Sequence, residues 1–284
     1  SNRMGNADPL QNILNPNSHN DYGRNNLHTD NWALITAARE NRNNRLLAKD
    51  GITPLQQASR LNYQSALNNS DILQLYAENL KSAGEFEAQQ EQGEFTSNIN
   101  LQAQLAVIAM YSGVSSAADL YISGFDTHTN HDSSHQDLLP MLFGGVDKLW
   151  DYAEQYNIAD RLVVVIGSEF GRTPYYNDDN GKDHWPIGSS IIMEKNVNWT
   201  NRMVGATDEG HFTKKINPTT LQVDETGGSI IYPKDVMSSL RKYLAIDQHA
   251  TSLVYPLKED VEFDFFNASY STPQGSDARN LIRV

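Results

Sequence analysis

"RLVVVIGSEFGRTP", residues 161–174, is the stretch on which the fold reading turns. Leu162 to Ile166 is an unbroken apolar, mostly β-branched run. A strand covered on one face alternates apolar and polar residues, whereas a parallel strand buried on both faces reads as a continuous run. The run ends at Gly167, and Ser168, Glu169 and Arg172 follow at once. Upstream, "NLQAQLAVIAMYSG" (100–113) predicts a helix with Leu101, Leu105, Ile108 and Ala109 on one face, stopped by Gly113. "AADLYISGF" (117–125) predicts a short strand near 118–123, and "HQDLLPMLFGGVDKLWDYAEQYN" (135–157) a broken but apolar-periodic helix. Downstream, "SSIIME" (189–194) predicts a third strand, and "PKDVMSSLRKYLAI" (233–246) a helix started by Pro233 and Asp235. The order helix–strand–helix–strand–strand–helix predicts an α/β class fold with a mostly parallel sheet.

The first hundred residues differ in texture. Residues 1–30, including Ser18, His19 and His28, read as polar loop. Helices are predicted over 31–48, over 54–67 behind the Thr53-Pro54 cap, and over 70–84 between Ser70 and Gly84; 85–98 reads as a polar connector. The expected organisation is a loop-rich, helical segment 1–98 packed on an α/β core over 99–284, together one compact domain.

The chain has 284 residues, a formal charge of -13 and no cysteine. An acidic chain without a basic run lacks the counterion-releasing face a nucleic-acid binder needs, and it is disfavoured on an anionic membrane surface. The lack of cysteine excludes disulfides, thiolate catalysis and zinc–thiolate sites. No run is long enough to span a bilayer, and residues 1–30 do not read as a signal peptide. The opening "SNRMGNADPLQ" reads as an internal boundary of a longer protein.

Three polar clusters carry the chemistry. "GFDTHTNHDSSH" (124–135) holds Asp126, His128, His131 and His135 directly after the first predicted strand. Glu169 and Arg172 follow the second, and "NDDNGKDHWP" (177–186) supplies Asp183 and His184 before the third. In open parallel sheets, ligands sit at the carboxyl ends of strands, so the clusters are expected to meet at one rim. The candidate metal ligands are Asp126, His128, His131, Glu169, Asp183 and His184. Carboxylate with imidazole suits zinc, manganese or iron(II), whereas calcium takes oxygen ligands. Arg172 offers a planar cation for a phosphate or sulfate oxygen pair, so Arg172 and Glu169 are the catalytic candidates.

Each residue also has an ordinary reading. Asp126 fits a turn, His131 and His135 fit solvated residues at the start of the next helix, Glu169 and Arg172 fit a structural ion pair, and Asp183-His184 fits a loop-stabilising hydrogen bond. His211 and His249 have no supporting sequence context.

The ordered motifs "GFDTHTNH", "SEFGRT" and "GKDHW", with "GGSIIYPKDVMSSLRKYLAI" behind them, resemble the bacterial "domain of unknown function 1501" family over about residues 100–246. That family is usually placed in the alkaline phosphatase and sulfatase superfamily. The resemblance implies an α/β/α sandwich with a metal site at the sheet rim, ligated by Asp126, by His128 or His131, and by His184. The superfamily's second metal pair falls here at Glu169-Phe170, and phenylalanine cannot coordinate a metal. Its first strand and nucleophile have no counterpart before residue 99, and are expected either upstream of this sequence or not at all. The resemblance also implies an exported, periplasmic protein.

These readings lead to a hydrolase of phosphate or sulfate esters that uses a divalent metal, zinc or manganese, and takes a small anionic substrate. The alternative is a non-catalytic binding or scaffold protein with a degenerate metal site. A metal-dependent isomerase or mutase is a weaker third.

Overall fold

The structure is a computed structural model that describes residues 29–49, 51, 53, 56–57, 59–61, 70–82, 98–258 and 260–266. The loop expected over 1–28, most of the helix expected over 54–67 and nearly all of the connector 85–98 lie outside these residues. The chain divides into two compact units.

The first unit holds helices α1 (Thr29–Leu47), α2 (Ser70–Ser82) and α3 (Ile99–Tyr111), with the part of α4 (His131–Gln155) that begins at Asp137. The Asn98 side chain caps α3 by accepting the Leu101 N–H at 3.1 Å, which satisfies one of the orphan donors of the first turn. The helix ends at Tyr111 with Ser112 as its cap, and Gly113, the stop that the sequence predicts, takes φ +75° in the left-handed region. The apolar face of α3 packs on α2: Tyr76, Leu80, Leu101 and Ile108 form one buried cluster, with Leu105, Ala109 and Tyr156 against it. α4 is a single 25-residue element with Pro140 inside it rather than a broken helix.

The second unit holds residues 124–136, which include the opening of α4, and the described residues from Ala159 on. Its strands are β1 (Val163–Ile166), β2 (Gly171–Arg172), β3 (His184–Trp185) and β4 (Ile191–Glu194). β1 pairs antiparallel with β4, Val163 opposite Glu194 and Ile166 opposite Ile191. β2 pairs antiparallel with β3, Gly171 opposite Trp185 and Arg172 opposite His184. A second core gathers Ile216, Leu221 and Phe263, with Val204, Ile231, Val261 and Phe265 around it. Helix α5 (Pro233–Tyr243) begins where Pro233 and Asp235 predict, and the Asp235 carboxylate accepts the Tyr232 N–H at 2.8 Å. A short α6 (Ala250–Val254) follows. No helix among the described residues is long and apolar enough to cross a membrane.

The expected α/β/α sandwich with a mostly parallel, alkaline phosphatase-like sheet is therefore corrected. The described residues form two small antiparallel sheets of two strands each. Two physical reasons stand out. The run at 162–166 is not covered on both faces: β1 is only half-buried and Val165 is exposed, so the unbroken apolar pattern overstated its burial. The segment at 118–123 forms no strand. The Gln102 amide takes both backbone groups of Tyr121 instead, accepting its N–H at 2.7 Å and donating to its carbonyl at 2.8 Å. One side chain thus satisfies the bonds a neighbouring strand would have made.

Ile108 is fully buried in the first core. Replacing it by Ala should cost about 2–5 kcal/mol of stability, read from the urea midpoint at unchanged m-value.

Candidate metal centre

The site is built by two loops fastened to each other through their backbones. In residues 127–131 and 177–182, Lys182 N–H donates to the Thr127 carbonyl (3.1 Å) and His131 N–H to the Asn180 carbonyl (2.9 Å). Thr129 and Asn180 form an antiparallel bridge. Asn177 organises the second loop: its Oδ1 accepts the Gly181 N–H (2.8 Å), while its Nδ2 donates to the His128 carbonyl (2.9 Å) and to Asp183 Oδ1 (3.1 Å). Asn130 and Asn180 both sit at positive φ, a conformation asparagine tolerates better than most side chains. The loops touch so closely that a Cβ at Gly181 would lie 1.8 Å from the His128 carbonyl oxygen, so no larger residue fits without moving a backbone.

Arg172 is the clamp. Its side chain is only 12% exposed, and it donates from Nη1 to the Lys182 carbonyl (2.8 Å) and from Nη2 to the Phe125 carbonyl (3.0 Å) and Asp126 Oδ1 (2.5 Å). It therefore holds both loops and the carboxylate between them. The cross-strand register places Arg172 opposite His184, and His184 Nε2 comes to 2.9 Å from the same Asp126 oxygen. His128 Nδ1 lies 3.4 Å from it. Phe170 stacks on the His184 ring at 3.8 Å and 21°, which fixes the imidazole plane.

Asp126, His128 and His184 are thus brought together, with one ligand atom from each lying within 4.8 Å of the others. Two donors each about 2.1 Å from a shared ion sit roughly 3.0 Å apart at a right angle and roughly 3.4 Å apart at the tetrahedral angle. The two distances to Asp126, 2.9 and 3.4 Å, span that interval. One carboxylate and two imidazoles fit zinc, manganese or iron(II) with open positions left over.

The other candidates are placed differently. His131 Nδ1 is 2.7 Å from Thr127 Oγ1, and its ring packs on His135 at 4.0 Å, so it supports the loop outside the trio. His135 is not a solvated cap; its Nε2 is buried with no hydrogen-bond partner among the described residues. Asp183 is held by the Asn177 amide, and its backbone N–H donates to Thr173 Oγ1 at 3.2 Å. Glu169 is exposed and stands outside the trio.

Electrostatics follow the geometry. The Arg172 guanidinium, then the His184 hydrogen bond and the His128 charge, hold the Asp126 carboxyl below its ordinary value, so it stays ionised. Burial, with His135 and Lys182 nearby, lowers the His131 imidazole from its ordinary 6.5 despite the opposing pull of Asp132. Sequence reasoning missed Thr127, Phe170 and Asn177. The signal for Asn177 and Gly181 was the "NDDNG" turn chemistry; nothing in the sequence announced Phe170 as a ring support.

The sequence matches the model of the family described as "Protein of unknown function (DUF1501)" over residues 4–222. No curated protein and no solved structure matches the chain.

Two outcomes are expected. Gly181→Ala should push the loops apart, lowering the thermal midpoint and weakening divalent-metal uptake together, measured by calorimetry and metal analysis. The second concerns pH. Because folding depresses the His131 pKa, its contribution to stability is complete above the unfolded value of 6.5 and is lost as pH falls through the folded value. An NMR titration should put the His131 midpoint below 6.5, and His131→Gln should flatten the fall in thermal midpoint on acidification from neutral.

Proposed function

We propose, for a chain that belongs to the DUF1501 family, that Asp126, His128 and His184 hold one divalent metal ion and that this centre hydrolyses phosphate or sulfate esters. The observation that carries the reading is the convergence of His128 and His184, the latter fifty-eight positions from Asp126, on a single Asp126 oxygen. A metal at such a donor set supplies Lewis-acid polarisation of an ester oxygen. Zinc and manganese are the ions proposed.

The chain's own residues have separable tasks in this reading. Asp126 and the two histidines are the ligands. Arg172 keeps Asp126 ionised and aimed, as the partner of a ligating carboxylate does in metal sites generally. Phe170 holds the His184 plane. His131 braces the first loop through Thr127, and Asp183 is held by Asn177 of the second. A single centre agrees with Phe170 occupying the place where a second Asp-His pair would stand. The substrate class comes from the superfamily in which the family resembled by the ordered motifs is usually placed, and the metal centre itself rests on the geometry of the three side chains.

One observation favours a second reading. Arg172 donates to the oxygen that both histidines approach, so the trio is also a closed network of charge and hydrogen bonds. A scaffold or binding protein with that network would need no turnover.

Metal analysis decides between the two. The protein incubated with zinc or manganese and then desalted should retain about one equivalent of metal. His184→Ala should lose it and reduce cleavage of an aryl phosphate or aryl sulfate by about 10²-fold or more, the scale on which a single electrostatic contributor acts. Wild-type protein that retains no metal while remaining folded would leave only the scaffold reading.

A further inference from the structure

Beside the trio lies a cleft of about 320 Å³, whose lining includes Ser168, Gly171, Arg172, Ser189, Thr207 and His211. That volume lies at the small end of the range for small-molecule sites. Its wall is formed where β2 passes against residues 187–188: a Cβ at Gly171 would lie 2.0 Å from the Ile187 carbonyl oxygen, so the backbones are in direct contact there.

The lining differs in charge from the rest of the chain. The chain carries 35 acidic residues and a formal charge of -13, yet among the described residues no carboxylate lines the cleft. The lining offers one guanidinium, one imidazole and three hydroxyls. Three of the five N–H groups of the Arg172 guanidinium go to acceptors among the described residues, which leaves two without an acceptor there.

His211, which has no context in the sequence, acquires one here. It sits at φ +58°, in the left-handed region that costs energy for a side chain of its size. A turn holds it there. Asp208 Oδ1 accepts the N–H groups of Gly210 and Phe212, both at 2.9 Å, and the Asp208 carbonyl accepts the His211 N–H at 3.0 Å. The turn closes a bridge between Thr207 and Thr213. It is tied to the metal centre through β3: Trp185, next to His184, donates its indole N–H to the His211 carbonyl at 2.9 Å and packs against Phe212. A two-residue strand therefore positions a member of the trio with one side chain and anchors the His211 turn with the next.

We propose that this cleft binds the tetrahedral oxoanion head of the substrate, a sulfate or phosphate group, with Arg172 as its charged donor, His211 as its imidazole donor, and Ser189 and Thr207 as hydroxyl donors; the Ser168 hydroxyl donates to the Phe170 carbonyl instead. This deepens the hydrolase reading and rests on it for the identity of the substrate. A polar lining that carries one fixed cation, an imidazole and hydroxyls suits an oxoanion better than a cation or an apolar group. His211 is a binding residue on this account, and the strained turn is the device that holds the residue at the cleft.

The test is calorimetric titration of inorganic sulfate and inorganic phosphate into chelator-treated protein, next to the His211→Asn and Thr207→Val variants. Asparagine tolerates the left-handed backbone, so His211→Asn removes the imidazole without unseating the turn. The expected result is saturable binding of at least one of the two anions to the metal-free wild type, weakened roughly tenfold by His211→Asn, with zinc stoichiometry unchanged in that variant. The tighter of the two anions tells a sulfate site from a phosphate site. Absence of saturable binding to folded, metal-free wild type overturns the proposal, and so does unchanged affinity in both variants. His128→Ala separates this proposal from the reading beneath it. If that variant and the wild type both lack metal while anion binding persists and depends on His211, the metal hydrolase fails and the oxoanion cleft stands.

Discussion

Residues 127–131 are fastened along their backbone to residues 177–182, and every other feature of the site follows from that contact. Either loop alone is a polar stretch with turn residues. Together they bury Thr127 and Gly181, bring the His128 carbonyl within reach of Asn177, and deliver the chain into β3 so that His184 faces Asp126. The contact is steric as well as hydrogen-bonded, because the approach at Gly181 leaves no space for a side chain. Arg172 then crosses from β2 and bonds to both loops. Its low exposure matters here: an arginine free in solvent would contribute little as an ion pair, whereas a mostly buried fork with three acceptors fixes geometry.

This arrangement moves Arg172 from the role its sequence context suggested to a wider one. The guanidinium is a structural clamp, a partner that keeps Asp126 ionised, and part of the wall of the adjoining cleft. The three roles are compatible because a guanidinium has donors to spare. The same economy appears in β3, where His184 serves the trio and Trp185 anchors the turn of His211. The asparagines at positive φ, including Asn130, Asn157, Asn180 and Asn196, account for part of the polar composition. They are turn-makers around the site and its neighbouring strands, where other side chains would be strained.

Individual elements are legible in the sequence alone. The helix over 99–111, its stop at Gly113, the start of α5 at Pro233 and the strands over 163–166 and 191–194 all follow from caps, periodicity and β-branching. The sheet is not. The run at 162–166 has the composition of a doubly covered strand, but composition cannot tell parallel from antiparallel pairing, and β1 found its partner in β4. The segment 118–123 has strand-like residues and yet is held by Gln102, a contact no local pattern encodes. The three polar clusters converge, but through antiparallel pairing and loop fastening rather than at the rim of a parallel sheet.

The sequence by itself determined which residue types could do chemistry here: a carboxylate and imidazoles close together at 126–131, a cation at 172, and a carboxylate–imidazole pair at 183–184, without cysteine. Side-chain identity and short-range spacing are local properties, and they are written in the chain. Tertiary structure alone decided that His128 rather than His131 joins Asp126, that Asp183 turns to Asn177, that Glu169 stays outside, and that His211 gains a place beside a cleft. Those outcomes depend on which way each side chain points once two distant loops share hydrogen bonds, and that direction is set by the partner loop.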